Sequence, residues 1–196
     1  MLYSVKLSSA EETLLRNLLS QQLESVDSEG WSVDIHTSNG TLRFLPEEAA
    51  AGDEEHQNSV VERPKIVSVA EPVLVNQPGT LARNLGAVSA ISVLNVLVSF
   101  SPVVPQPEIP LPNGKKIPAS MGYGWVYYHT QDRLAAIEAF GNKQAVIDLD
   151  VAVELVTEKC PSIIMYTRGY FIHVSLAGLP NEDWAQLNLF SRRTLS

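Results

Sequence analysis

Two aspartates in the stretch QAVIDLD are the residues whose type and spacing are best suited to chemistry. Asp148 and Asp150 alternate along a predicted strand, so we expect their carboxylates on one face of it. Two carboxylates on one face are able to perform general acid–base chemistry or to hold a divalent cation. The competing interpretation, which we favour, places both on the solvent face of a half-buried strand.

The histidines give a weaker signal for a metal or an enzyme site. His129 and Asp132, in the stretch HTQD, have a spacing that fits one helical turn. A helix that begins after His129 would instead use Asp132 in its first turn, where the helix dipole favours an acid. Cys160 and His173 are a possible nucleophile and base, but a lone cysteine is usually a small buried hydrophobic residue. We therefore expect no metal and no cofactor.

An enzyme would have to assemble its site from residues that are far apart in the chain. The chain has no nucleophile elbow and no phosphate-binding glycine loop, the motifs with a more specific signal. A hydrolase is thus the alternative function, and its candidate residues are His129, Asp132, Asp148, Asp150 and His173. Our leading expectation is a non-enzymatic protein with no catalytic residue.

Aromatic residues are concentrated in the stretch GYGWVYYHT. On a strand, Trp125 would share one face with Tyr123 and Tyr127. Tyr128 would lie on the opposite face, beside His129. One face must join the core, and the other is a candidate recognition surface because tyrosine and tryptophan are enriched at binding hot spots. The candidate partner-binding residues are Trp125, Tyr128 and His129, and the competing interpretation, which we favour, is ordinary packing.

Composition and charge exclude several classes of partner. The chain has 196 residues, a formal net charge of −8 and one cysteine. The acidic balance argues against nucleic acid and against an anionic membrane surface, which both attract clustered Lys and Arg. One cysteine fits a reducing compartment, and the N-terminal residues lack the pattern of a secretory signal. We expect a soluble, cytoplasmic protein whose partner is another protein or a second copy of itself.

The elements that must position these residues begin with a small unit over residues 1–45. Its predicted order is strand, helix, strand and strand. The helix begins at a capping box formed by Ser9 and Glu12 and ends near Ser25. The last two strands form a hairpin that turns at Asn39–Gly40.

Composition divides the rest of the chain. Residues 46–63 contain an acidic tract with few apolar residues, which is typical of a flexible linker, and an acidic partner-binding tract is the alternative. Residues 64–196 would form a larger unit of strands and short helices. The expected fold class is therefore α+β, with a mixed, mainly antiparallel sheet and a few short helices packed on it.

The longest uncharged stretch, NLGAVSAISVLNVLVSFSPVV, raises the question of a membrane span over residues 85–104. Asn95 at its centre and Pro102 near its end disfavour a span, because an amide in the bilayer is costly and proline shortens the run. A small-residue helix over residues 80–91, followed by a buried strand, fits better. A buried hydrogen-bond partner for Asn95 would mark the segment as core.

These features together favour a non-enzymatic protein-interaction or adaptor protein. Each catalytic pattern has a simpler structural explanation, whereas an acidic surface and an aromatic patch remain. The alternatives are the hydrolase and a protein anchored in a membrane through residues 85–104.

Overall fold

The computed structural model describes residues 2–29, 31–50, 60–70, 79–100, 108–110, 116–122, 125–128, 146–168, 171–176 and 191–196. Within these ranges the elements are β1 (Leu2–Val5), α1 (Ser9–Arg16), β2 (Gln22–Ser28), β3 (Val33–Thr37), β4 (Gly40–Ala50), β5 (Val60–Val69), β6 (Thr80–Phe100), β7 (Glu108–Pro110), β8 (Lys116–Gly122), β9 (Trp125–Tyr128), β10 (Val146–Thr157), β11 (Ile163–Arg168), β12 (Phe171–Leu176) and β13 (Ser191–Leu195).

The fold is mainly β, and the α+β class predicted from the sequence is wrong. Strands account for most of the described residues, and α1 is the single helix among them. The helix predicted over residues 80–91 is instead the first half of β6. Small residues such as Ala and Ser suit either state, and here pairing with β2 and β10 selects the strand.

β6 is the strand that organises the sheet. Its first part pairs with β2, and the sheet continues through β3 and β4 to β5. Its later part pairs with β10, and the sheet continues through β11 to β12. β13 and β9 also pair with β6, while β8 and β7 extend the sheet from β9. All of these pairs are antiparallel, and β1 lies parallel to β10.

The core lies between two wings of this sheet, which we define as β2–β5 and β10–β12. Side chains from both wings, from β6 and from α1 meet in one buried cluster that includes Leu15, Phe44, Ile91, Leu155 and Met165. A hydrogen bond also joins the wings, since the Thr167 side-chain hydroxyl of β11 donates to the Glu62 backbone carbonyl of β5 at 3.3 Å. Each fully buried apolar side chain contributes about 1.5–3 kcal/mol, so the shared cluster couples the wings.

The start of α1 is fixed by a capping box one residue earlier than predicted. Ser8, rather than Ser9, is the N-cap, and its hydroxyl accepts a hydrogen bond from the Glu11 backbone N–H. The Glu11 carboxylate in turn accepts from the Ser8 backbone N–H at 2.7 Å. Two otherwise unpaired N–H groups of the first turn are thereby satisfied.

The end of α1 comes much earlier than the predicted end near Ser25. The helix stops at Arg16, and Ser20 takes a positive φ of 68° that redirects the chain. The Ser20 N–H then donates to a β6 carbonyl at 2.9 Å, and Gln21 accepts from a β6 N–H at 3.0 Å. Pairing with β6 thus replaces further helical hydrogen bonds and begins β2.

The hairpin predicted near Asn39–Gly40 is present. β3 pairs with β4, and Gly40 lies opposite Thr37 with a φ of 138° that favours glycine. β4 then continues past the predicted end of the N-terminal unit, as far as Ala50.

The predicted linker is partly strand. Residues 46–50 pair with residues 60–64 in the β4–β5 ladder, and residues 51–59 lie outside the described residues. Strands from both predicted units share the sheet, because β1 pairs with β10 and β2 pairs with β6. The division of the chain into two units stays a prediction.

The uncharged stretch is a strand with partners on both edges. Leu94 lies opposite Ala152 of β10 on one side and Arg192 of β13 on the other. Asn95 is 4% exposed and donates to Asp150 at 3.0 Å, so it has the buried partner that a core segment requires. The described part of the chain contains no helix that is long and apolar enough to cross a membrane.

Candidate functional site

Asp148 and Asp150 meet Lys6 on one face of β10. The Lys6 Nζ atom lies 2.5 Å from Asp148 Oδ1 and 3.2 Å from Asp150 Oδ1. Parallel pairing of β1 with β10 places Lys6 there, because Val5 lies opposite Leu149. The two aspartates are 7% and 1% exposed, so they do not occupy the solvent face that we favoured from the sequence. The structure brings these two carboxylates together around one ammonium group.

Asp150 is a buried carboxylate whose hydrogen-bonding capacity is used by the protein. Besides the ammonium group, Asn95 Nδ2 donates to its Oδ1 at 3.0 Å. The Leu7 N–H donates to its Oδ2 at 3.0 Å, and Arg193 Nη2 does so at 3.2 Å. Arg193 also lies 2.5 Å from Glu12 Oε1 in α1. A buried carboxylate is tolerated when it is paired in this way, and Asp150 links β10 to β6 and β13 and, through Arg193, to α1.

Glu11 is a second buried carboxylate held by protein donors. Its Oε2 accepts from the Ser8 N–H at 2.7 Å and from Arg63 Nη1 at 2.9 Å, and its Oε1 accepts from the Ile66 N–H at 3.1 Å. Burial alone would raise the pKa of Glu11, but the hydrogen bonds from Ser8, Arg63 and Ile66 outweigh it and lower the pKa. Glu11 therefore anchors α1 to β5 as an anion.

A third buried polar group lies on the face of β2, β3 and β4 opposite the main core. The Nδ1 atom of His36 is hydrogen-bonded to Thr41 Oγ1 at 2.8 Å. Its Nε2 atom lies 3.0 Å from Asp27 Oδ2, but the carboxylate is off the ring N–H direction and no hydrogen bond forms. Ser25 lies opposite His36 on β2. Within the described ranges, both Asp27 carboxylate oxygens and the Ser25 hydroxyl are buried without a hydrogen-bond partner.

Asp27, His36 and Thr41 follow one another as the carboxylate, imidazole and hydroxyl of a hydrolase triad do. Their geometry does not support hydrolase chemistry. In a triad the acid orients the imidazole through a directed hydrogen bond, and the hydroxyl faces the substrate. Asp27 makes no such hydrogen bond, and Thr41 is 5% exposed. The Thr41 hydroxyl is out of reach of a substrate, so these residues do not support the hydrolase alternative.

Sequence reasoning misses this group because it depends on β2. A helix extended to Ser25 hides the alternation that places Ser25 and Asp27 on one face of a strand. The same alternation in the predicted hairpin places Asp34 and His36 together on the neighbouring strand. The signal that would find the group is the short stretch SVDS next to that hairpin, in which Ser25 and Asp27 alternate with Val26.

An exposed aromatic pair lies at the surface of the molecule. The ring centroids of Trp31 and Phe171 are 4.8 Å apart, and the two residues are 62% and 44% exposed. Phe171 begins β12, which pairs with β11 alone among the described strands. The ring of His173 also contacts Phe171 and stacks on Tyr166 at 5.2 Å. Paired exposed aromatic side chains are typical of binding surfaces.

The predicted partner-binding residues fall only partly within the described ranges. Trp125 and Tyr128 are in β9, where they lie opposite Phe100 and Leu97 of β6. His129 is outside the described residues. A role for these three residues in partner binding stays a prediction.

The predicted hydrolase residues are not assembled into one site in the described part of the chain. Asp148 and Asp150 share Lys6, whereas the ring contacts of His173 are with Tyr166 and Phe171. The remaining two, His129 and Asp132, lie outside the described residues.

Comparisons of the chain with protein-family models, curated proteins and solved structures give no match. Any function must therefore be argued from the residues themselves. Over the described ranges, no group of three or more His, Cys, Asp and Glu side chains is arranged to hold a metal ion.

Proposed function

We propose that the protein is a non-enzymatic interaction protein that binds another protein through an aromatic patch formed by Trp31, Phe171 and His173. The observation that carries this proposal is the exposure of Trp31 and Phe171, at 62% and 44%, with ring centroids only 4.8 Å apart. Burial of a large exposed apolar side chain contributes about 1.5–3 kcal/mol, so a partner that covers the patch gains this binding free energy. Tryptophan in particular is enriched at binding hot spots.

β12 offers the partner a backbone edge beside this patch. One edge of Phe171–Leu176 pairs with β11, and the other has no strand partner among the described elements. The strand contains no charged residue and no proline, which are the usual obstacles to strand addition. An extended segment of the partner that adds to β12 would place its apolar side chains against the aromatic patch.

The charge of the chain favours a different protein over a second copy. Two molecules with a net charge of −8 repel each other at long range, whereas a basic protein is attracted. The partner we propose presents an extended apolar segment in basic surroundings. The proposed compartment is the cytoplasm, and the buried free thiol of Cys160 agrees with a reducing environment.

The proposal is tested by site-specific crosslinking in the cell that makes the protein. A photo-crosslinking residue in place of Trp31 should capture one specific protein. The matched control is the same residue in place of Leu81, which is 47% exposed and lies outside the aromatic patch. Equal capture from both positions would count against the aromatic patch.

The captured protein is then purified and its affinity measured by calorimetry. Trp31→Ala and Phe171→Ala should each weaken binding at least about tenfold, and Leu81→Ala should leave it unchanged. Unchanged affinity in both patch variants would refute the proposal. Concentration-dependent dimerisation that is lost in the same two variants would identify a second copy as the occupant instead.

A further inference from the structure

We propose that Asp27 and His36 bind a divalent first-row transition-metal ion, with Ser25 as the third protein ligand. The site is independent of the aromatic patch, since it lies on β2 and β3 on the face opposite the main core. It rests on two separate observations, the geometry of the His36–Asp27 contact and the unpartnered atoms around it.

The geometry of the contact fits two groups aimed at a common third point. His36 Nε2 and Asp27 Oδ2 are 3.0 Å apart without a directed hydrogen bond. Nitrogen and oxygen ligands bound at about 2.1 Å and at right angles, as in octahedral or square-planar coordination, would also lie about 3.0 Å apart. In that arrangement the Nε2 atom points at the ion, and the carboxylate lies to one side of that direction. This agrees with the off-axis position of Asp27 relative to the ring.

Thr41 supplies the outer contact that orients a metal-binding histidine. His36 Nδ1 lies 2.8 Å from Thr41 Oγ1. When the Nδ1–H donates to this hydroxyl oxygen, Nε2 presents its lone pair on the side of Asp27. Metal-bound histidines nearly always donate their second N–H to an oxygen in this way.

The unpartnered atoms are the independent observation. Asp27 and Ser25 are 9% and 1% exposed, and within the described ranges neither Asp27 carboxylate oxygen nor the Ser25 hydroxyl has a hydrogen-bond partner. A buried carboxylate without donors destabilises the folded chain, and a bound cation removes that penalty. Ser25 lies directly opposite His36 on β2, so its hydroxyl is on the same face.

The ligand set decides the class of ion. An imidazole nitrogen suits zinc, copper, iron or nickel, whereas magnesium and calcium prefer oxygen ligands alone. The set contains only two side chains of the His, Cys, Asp and Glu types, in agreement with the lack of larger groups in the described part of the chain. Three protein ligands leave coordination positions that buried water molecules would fill.

The test is a titration of the metal-free full chain with Zn²⁺ and Co²⁺, followed by calorimetry and, for Co²⁺, by visible absorption. We expect one ion per chain, with affinity lowered at least about 100-fold in His36→Gln and in Asp27→Asn. Thr41→Val should weaken binding about 10- to 100-fold, because the outer hydrogen bond to His36 is lost. The matched control is His173→Gln, which removes a histidine outside the site and should leave binding unchanged.

A second measurement on the unaltered chain keeps the test independent of variant folding. Bound Co²⁺ should broaden or shift the backbone amide signals of Ser25, Asp27 and His36 most strongly. The proposal is overturned if Co²⁺ does not bind up to millimolar concentration. It is equally overturned if the perturbed signals centre on other residues, or if only His173→Gln abolishes binding.

Discussion

Asp150 and Asp27 are both buried carboxylates on strand faces, and their surroundings differ sharply. Asp150 is 1% exposed and accepts hydrogen bonds from four groups, three side chains and one backbone N–H. Asp27 is 9% exposed, and neither of its oxygens accepts a hydrogen bond in the described structure. The first carboxylate joins elements of the fold, and the second has hydrogen-bonding capacity that no described residue uses.

Burial and charge alone do not identify a carboxylate that is able to bind a ligand. The pair that the sequence singled out, Asp148 and Asp150, is occupied by Lys6 and, for Asp150, by further donors. Within the described ranges, Asp27 has carboxylate oxygens without hydrogen-bond donors, and no motif marked it. Whether the hydrogen-bonding capacity is already used is the more informative property.

The largest effect on stability is expected from Asp150→Ala, which removes the carboxylate whose hydrogen bonds are all made. The change leaves Lys6, Asn95 and Arg193 without their shared acceptor. We expect a loss of about 3–5 kcal/mol in the free energy of unfolding, measured with urea. Glu24→Ala, at an exposed position of β2, should change it by less than about 0.5 kcal/mol. A loss in Asp150→Ala as small as in this control would show that the cluster is not a structural link.

Glu11→Gln is expected to have the next largest effect and to depend on pH. The pKa of Glu11 is lowered in the folded state, so its contribution is present above its ordinary pKa of 4.5 and is lost as the pH falls through the folded value. We expect Glu11→Gln to cost about 2 kcal/mol at pH 7, since two side-chain donors and two backbone N–H groups lose an anionic acceptor. Urea unfolding from pH 7 down to pH 3 should show this difference shrinking. A constant difference would contradict the linkage.

Asp27→Asn should change the free energy of unfolding in the opposite direction from Asp150→Ala. Without metal, removal of a buried charge that accepts no hydrogen bond from the described residues should stabilise the chain by about 1 kcal/mol. With Zn²⁺ in excess the order should reverse, since an ion bound only by the unaltered folded chain stabilises it. Thermal unfolding with and without Zn²⁺ measures both. A clear loss of stability in the metal-free variant would show that Asp27 is paired in solution.

The smallest effect is expected from Glu62, a carboxylate that faces a like charge. Glu62 lies opposite Glu48 in the β4–β5 ladder. Burial, and then the charge of Glu48, raise the pKa of Glu62, so the folded state is penalised as the pH rises through the ordinary pKa of 4.5. Glu62→Gln should therefore stabilise the chain by about 0.5 kcal/mol at pH 7. Unfolding curves at pH 7 and pH 3.5 test this, and an equal gain at both would be inconsistent with it.

Local signals predicted the features that depend on neighbours in the chain. The Asn39–Gly40 hairpin is present, and Asp148 and Asp150 do share a face of a strand. A capping box begins the helix, although at Ser8 and Glu11 rather than one residue later. The length of that helix was not predictable, because its leucines serve the core equally well after the chain turns into β2.

Long-range pairing decided the rest of the candidate sites. Lys6 contacts Asp148, which is 142 residues away in the chain. The parallel β1–β10 pair brings the two together, and neither strand's sequence indicates this pairing. The contact between Trp31 and Phe171 likewise joins two distant segments. No spacing rule encodes such contacts, since each exists only when separate strands are ordered in the sheet.

The amino-acid pattern was thus sufficient for the charge of the protein, its hairpin, the presence of a capping box near the start of its helix and the alternation of its carboxylates. Tertiary structure alone decided that the stretch around Asn95 is one long strand and that, among the described residues, Asp150 has hydrogen-bond donors while Asp27 has none. The physical reason is that a side chain's type and face follow from local backbone geometry. The partners that use up its hydrogen-bonding capacity come from strands elsewhere in the chain.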